Sequence, residues 1–309
     1  MEIIKKTLVL IAVAVPTGIA VGAVDAVFGR VLLYLGAVRD AHTAWFLPFL
    51  GLIGALMAWA YKRYGAGCEN GMGMVFEAGH AEREAIPLRL VPFVICATWL
   101  THLFGGSAGR EGVAVQLAAA PEWSAELALE LTALGIVFGL TGAAFAFCLK
   151  RAKKLAQNRL KNPVLRALVM GVALSPVLYL LYRGRYCGLG TNLINASLEG
   201  EPIYAWDWAL KLALTVLTLS AGFQGGEVTP LFSIGASLGA ALAGLLGLPA
   251  AFCAALGYAA VFGSATNTLL APALIGAEVF GWAAAPHFFA VCALAYAVNG
   301  GRSIYSGQK

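Results

Sequence analysis

Two carboxylates stand where this chain has little reason to keep a charge. Glu111 sits beside Arg110 in "THLFGGSAGREGVAVQL" (101–117), a glycine-rich break between apolar runs, and Glu227 sits in "QGGEVTPLF" (224–232). Both precede segments that read as helix starts, with Pro230 suited to a first turn. A third such start is "NGMGMVFE" (70–77), around Met72. A helix N-terminus offers unpaired N–H groups and roughly half a positive charge, and both favour an anion. A side-chain carboxylate at such a start occupies the place of a free anion and leaves when protonated, which is the chemistry of a gate that trades a proton for an anion. The simpler alternatives are a helix cap or a pair with Arg110 for Glu111, a cap for Glu227, and close helix packing for the glycines. An uncompensated carboxylate at membrane depth costs several kcal/mol, which favours the functional reading.

The elements that must hold these residues are set by composition. With 60% apolar residues, 12% charged residues and a mean hydropathy of +0.79 over 309 residues, the chain lies far outside the soluble range and reads as a multi-pass protein of the cell membrane, in an inner membrane if the source is Gram-negative. Apolar stretches run over 7–38, 43–61, 86–104, 112–120, 124–149, 165–182, 208–223, 229–247, 250–262, 266–283 and 285–299. Several fall short of the ~20 residues that cross a bilayer core. Short, glycine-interrupted segments imply broken or re-entrant helices, tolerated where they are buried in protein or line a polar cavity. "MEIIKKTLVL" lacks a cleavage pattern and reads as a retained helix.

The six cysteines are scattered without a C-x-x-C and read as packing residues; the four histidines show no metal-ligand spacing, so no metal and no cofactor is expected. The net charge of +5 does not indicate nucleic acid. Seven of the 21 basic residues (Lys150, Arg151, Lys153, Lys154, Arg159, Lys161, Arg166) fall in one stretch, which reads as a cytoplasmic loop that anchors the chain. An enzyme is not expected: "GGSAGREG" lacks the strand and spacing of a dinucleotide loop, and no nucleophile–base set accompanies it. Asp25 late in the first helix, with Arg30 in reach, reads as structural, whereas Glu278 in an apolar stretch reads equally as part of a proton path or as a buried pair or interface residue.

The chain also repeats itself. "GIAVGAVDAVF" (18–28) matches "GIVFGLTGAAF" (135–145) at an offset of 117, the same offset pairs "GMG" (71–73) with "GLG" (188–190), and at 120 the Glu111 segment meets the Glu227 segment. With Lys5 and Lys6 cytoplasmic, the first helix runs outward, whereas its counterpart from 124 runs inward to the basic stretch. That is an inverted repeat, the plan of transporters whose site lies near the midplane where broken helices meet. The expected fold is all-α and polytopic, with a first repeat at 1–123, a second at 124–300 and a C-terminal segment at 301–309.

"GREGV", "GGEVTPLFSIGASLG" and "GRSIYSGQ" resemble, in this order, the CLC family of anion channels and anion/proton exchangers. Met72 in place of the family's motif serine, Val113 in place of its proline, and Glu227, Val228, Thr229 and Pro230 at the third motif resemble the fluoride-exporting branch, often called CLC-F. The resemblance implies Glu111 as the gating glutamate and Glu227 as a participant in proton coupling. It places Met72, Gly112, Val113, Thr229 and Tyr305 around the anion, with protons, fluoride or chloride and the lipid bilayer as partners. Small, strongly hydrated fluoride needs good donors, and helix N–H groups, a threonine hydroxyl and a tyrosine O–H supply them, although chloride would use the same set.

One departure is large. About three helices follow the third motif in the second half, whereas only "LAAAPEWSAELAL" (117–129) separates the Glu111 segment from the second repeat. In the family the missing segments help to build a two-fold dimer interface, so the implied homodimer loses part of its surface here. The competing readings are a chloride/proton exchanger or passive anion channel of the same fold, and a non-transporting, truncated homologue.

Overall fold

The computed structural model describes residues 23–24, 26–65, 87, 89–106 and 121–305. These residues form an all-helical bundle. In chain order the helices are α1 (26–41), α2 (Thr43–Tyr64, opened by short turns), α3 (Leu90–Leu103), α4 (Ala125–Arg159), α5 (Pro163–Leu180), α6 (Thr191–Glu199), α7 (Asp207–Ala221), α8 (Val228–Leu246), α9 (Ala250–Thr266), α10 (Leu270–Phe280) and α11 (Ala285–Val298). Among them α2, α4, α5 and α8 are long and apolar enough to cross a membrane. At 11 residues, α10 covers about half of a bilayer core, as expected of broken helices.

Local sequence explains the boundaries. Ser124 caps α4 by accepting the Leu127 N–H at 3.0 Å, with Glu126 in the first turn. Asn162 caps α5 ahead of Pro163, its side chain accepting from Val164 N–H at 3.0 Å. Between the two caps α4 runs for 35 residues, so Lys150 to Arg159 are helical and the connection to α5 is short. The basic stretch is therefore a rigid extension of α4 rather than a loop. Ala, Lys, Leu, Gln and Arg carry the helix on, and no Gly or Pro interrupts residues 144–159.

Two apolar cores hold the bundle. One gathers residues of α4 and α6 to α11 around Phe138, Phe145, Phe232, Tyr258 and Phe288. The other joins Leu47, Leu50 and Met57 of α2 to Leu174 and Leu178 of α5, Tyr186, Leu193 and Leu214, so it draws on both halves of the sequence. Glycines let the backbones meet: a Cβ on Gly235 or Gly239 of α8 would strike the carbonyls of Gly257 and Cys253 in α9, and one on Gly51 of α2 would strike α5. Gly135 and Gly139, which carried the internal repeat, press α4 against Leu294 and Ala295 of α11. Ser264 Oγ also donates to Gly139 O at 2.7 Å, tying α9 to α4.

A buried polar knot fixes the turn between α5 and α7. Asp207, fully buried at the start of α7, accepts from Arg185 Nη2 at 2.7 Å, Tyr186 O–H at 2.6 Å and Tyr204 N–H at 3.0 Å. Beneath it, fully buried Lys211 donates to the carbonyls of Gly188 at 2.7 Å and Tyr186 at 3.1 Å. The "GLG" element of the second repeat is thus held in place by an α7 side chain, with Gly188 and Gly190 both at positive φ.

Candidate functional site

The site starts from the beginning of α8. Gly225 and Gly226 end an irregular approach, and α8 begins at Val228 with Pro230 in its first turn. Pro230 has no N–H to leave unpaired, and the first N–H groups of the helix, at Val228 and Thr229, have no intrahelical acceptor. Glu227 holds the N-cap position and its carbonyl accepts the Leu231 N–H at 3.1 Å. Its side chain makes no capping bond. The carboxylate instead faces Lys153 on the extension of α4, with Oε1 3.6 Å from Nζ.

Thr229 is fully buried, and its hydroxyl has no hydrogen-bond partner among the described residues. An unmatched buried hydroxyl costs about 1–3 kcal/mol, so its retention needs a reason, and a polar species seated at the helix start supplies one. One turn on, Ser233 Oγ is in the same condition.

The C-terminal segment brings Tyr305 near Glu227. Asn299 Nδ2 donates to Asn267 Oδ1 at 3.1 Å and to Arg302 O at 2.7 Å, the Ile304 N–H donates to Ala265 O at 2.9 Å, and Ser303 Oγ donates to Thr266 O at 3.3 Å. These bonds pin residues 299–305 onto the end of α9. Burial, aided by the negative charge of Glu227, pushes the Tyr305 phenol above its ordinary range. The phenol therefore stays a hydrogen-bond donor at physiological pH.

Of the residues singled out by sequence, Glu227 and Thr229 thus sit at the start of α8, and Tyr305 lies near enough to Glu227 to feel its charge. Glu111, Met72, Gly112 and Val113 lie outside the described residues, as does Asp25. Glu278 is exposed on α10. Lys153 was missed: within a run of cations it reads as one more anchor, and no local signal marks it as the one that reaches Glu227. The arrangement combines helix-start N–H groups without an intrahelical acceptor, a buried hydroxyl, a phenol and a carboxylate 3.6 Å from an ammonium, which suits a small anion.

Comparison with known proteins places this geometry. A solved structure described as the crystal structure of a CLC-type fluoride/proton antiporter superposes with a TM-score of 0.96 at 38% identity, covering 98% of each chain. A slow cyanobacterial Cl-/H+ antiporter superposes with a TM-score of 0.75 at 15% identity, over 96% of this chain and 95% of that one, a likeness of fold alone. The chloride/fluoride channel protein of Pseudomonas syringae pv. tomato (strain ATCC BAA-871 / DC3000) is 29% identical, over 97% of this chain and 86% of its own length. That alignment spans 392 positions against the 309 residues here, so at least 83 (392 minus 309) lack a counterpart in this chain. The profile of the voltage gated chloride channel family matches residues 53–122 and 121–300, two pieces that meet where the sequence reading put the missing helices. An all-helical bundle of this shape, matched by that profile along most of its length, belongs to the voltage gated chloride channel (CLC) family.

Proposed function

We propose that the chain is an anion/proton antiporter of the cell membrane that exports fluoride as protons enter. The observation that carries this is the pairing of Thr229 and Glu227 at the start of α8, a buried unpartnered hydroxyl next to a carboxylate that does not cap its own helix. Thr229, Tyr305 and the N–H groups of α8 replace part of the hydration of a small anion. Met72, Gly112 and Val113 complete the seat from the other two helix starts. Glu111 acts as the gate, entering the seat as a carboxylate and leaving when protonated, and Glu227 takes part in the coupling. The fluoride/proton antiporter at 38% identity supports fluoride over chloride, whereas the name of the chloride/fluoride channel relative carries both ions.

The test is efflux from liposomes that hold the purified protein and internal fluoride, read by an ion electrode with pH recorded in parallel. Fluoride efflux with coupled proton uptake is the expected result. Chloride efflux of equal rate would overturn the selectivity, and no flux of either ion would overturn the transport reading. The molecular mass of the detergent-solubilised protein reads the oligomeric state, and a monomer would assign the family's two-fold interface to the missing helices.

A further inference from the structure

The Glu227 backbone is already helical (φ −86°, ψ −17°), so its longer side chain starts from a geometry in which capping is not built in. A helix start carries about half a positive charge and unpaired N–H groups, and a carboxylate on the residue that opens the helix is drawn onto them. Glu227 makes no such bond. Its side chain is about one-fifth exposed and lies 3.6 Å from Lys153 Nζ, which is about two-fifths exposed on the extension of α4. Lys153 comes 74 residues before Glu227, and α4 reaches it only because the helix runs unbroken past Cys148 to Arg159. The partner is therefore built into a rigid element, with water on its outer side.

We propose that Lys153 is a positioning residue for the anion seat, whose ammonium holds the Glu227 carboxylate off the N–H groups of α8 so that an anion takes them instead. The inference rests on the antiporter reading above and adds a second competitor beside the gating Glu111: the carboxylate of Glu227 at the start of α8. Without Lys153 the carboxylate falls back onto the helix start and the anion must displace it. Arg in place of Lys153 preserves the charge and the latch. A neutral residue at 227 removes the rival and makes the latch unnecessary.

Initial fluoride efflux from liposomes, measured against internal fluoride concentration, tests this with the full chain. Lys153→Met is expected to raise the half-saturating fluoride concentration about three- to tenfold, the effect of one half-buried ion pair, while the maximal rate stays within about twofold. Lys153→Arg is expected to retain the wild-type curve. An unchanged half-saturation in Lys153→Met overturns the proposal, and so does a loss of maximal rate alone, which a merely structural role would produce. Failure of Lys153→Arg to keep the wild-type value also overturns it.

Calorimetric titration of the detergent-purified protein with sodium fluoride gives a second reading. Fluoride affinity is expected to fall in Lys153→Met and to recover when Glu227→Gln is added; a double variant as weak as Lys153→Met sinks the latch. If the wild-type protein moves no fluoride, the transport reading fails, whereas the titration still decides whether Lys153 governs access to the seat.

Discussion

Trp123 lies flat on His287, ring centroids 4.6 Å apart and planes 10° from parallel. Trp123 directly follows residues 121–122, where the two pieces of the family match overlap, and His287 belongs to the first turn of α11. The stack therefore closes the joint between the shortened first half and the end of the second. Aromatic pairs contribute about 0.5–1.5 kcal/mol beyond the area they bury. Trp123→Ala and His287→Ala are each expected to lower stability by about 1 kcal/mol. His287 also meets Phe252 edge-on at 5.4 Å, so its loss should be the larger of the two, and the double variant should lose less than the two single losses added, because the Trp123 stack is deleted in both. Thermal midpoints of the three variants in one detergent check this, and fully additive losses would separate the two residues.

Thr229 offers a test in which stability and activity move in opposite directions. Thr229→Val keeps the shape and removes a buried hydroxyl that has no partner among the described residues. In fluoride-free buffer the variant should be more stable than wild type, by about 1 kcal/mol, since no donor is left unmatched. In fluoride-loaded liposomes it should need about tenfold more fluoride for the same efflux, and Thr229→Ser should stay near wild type. A variant that is less stable and transports normally would assign the hydroxyl to packing.

Glu111→Gln removes the charge that alternates between seat and solvent in the proposed gate. Fluoride movement without proton uptake is the expected phenotype, read by parallel ion and pH electrodes. Proton uptake at the wild-type ratio in this variant would return Glu111 to the role of a helix cap.

Alkaline pH should weaken the fold through Cys187, in the turn held by Lys211 and Asp207. Burial pushes this thiol up from 9.0 to about 11. A group whose pKa is raised in the folded state stabilises fully below its unfolded value and loses that contribution as pH rises through the folded value. Stability should therefore fall between about pH 9 and pH 11, by about 2–3 kcal/mol for this group. Cys187→Ala should flatten that limb even if its starting stability is lower. Denaturation midpoints taken across this range for both proteins decide the matter, and parallel curves would exclude Cys187 as the source.

Much of this was legible in the sequence, for reasons of local chemistry. The start of α8 was readable because Gly225, Gly226 and Pro230 punctuate it. The inverted repeat was readable because Gly135 and Gly139 are needed where α4 meets α11, and packing glycines tolerate little substitution. What could not be read was adjacency across long stretches of chain. Tyr305 reaches Glu227 through a network on Asn299 and Asn267, residues without local periodicity. Lys153 reaches it because α4 continues as a helix through a segment whose composition suits a loop equally well.

The length of α4 has a consequence beyond the latch. Its 35 residues extend about 50 Å, some 20 Å more than a bilayer core is thick. With the orientation expected from the positive charges, the excess would emerge among the inner-leaflet headgroups and carry Lys150, Arg151, Lys154 and Arg159 alongside Lys153. Each of these cations gains about 1 kcal/mol beside anionic lipid. Phospholipid phosphates and the Glu227 carboxylate then compete for Lys153 on one short cationic helix end. Under the latch proposed above, the rate of ion clearance is expected to depend on the leaflet as well as on the protein, slower in anionic membranes and faster in neutral ones.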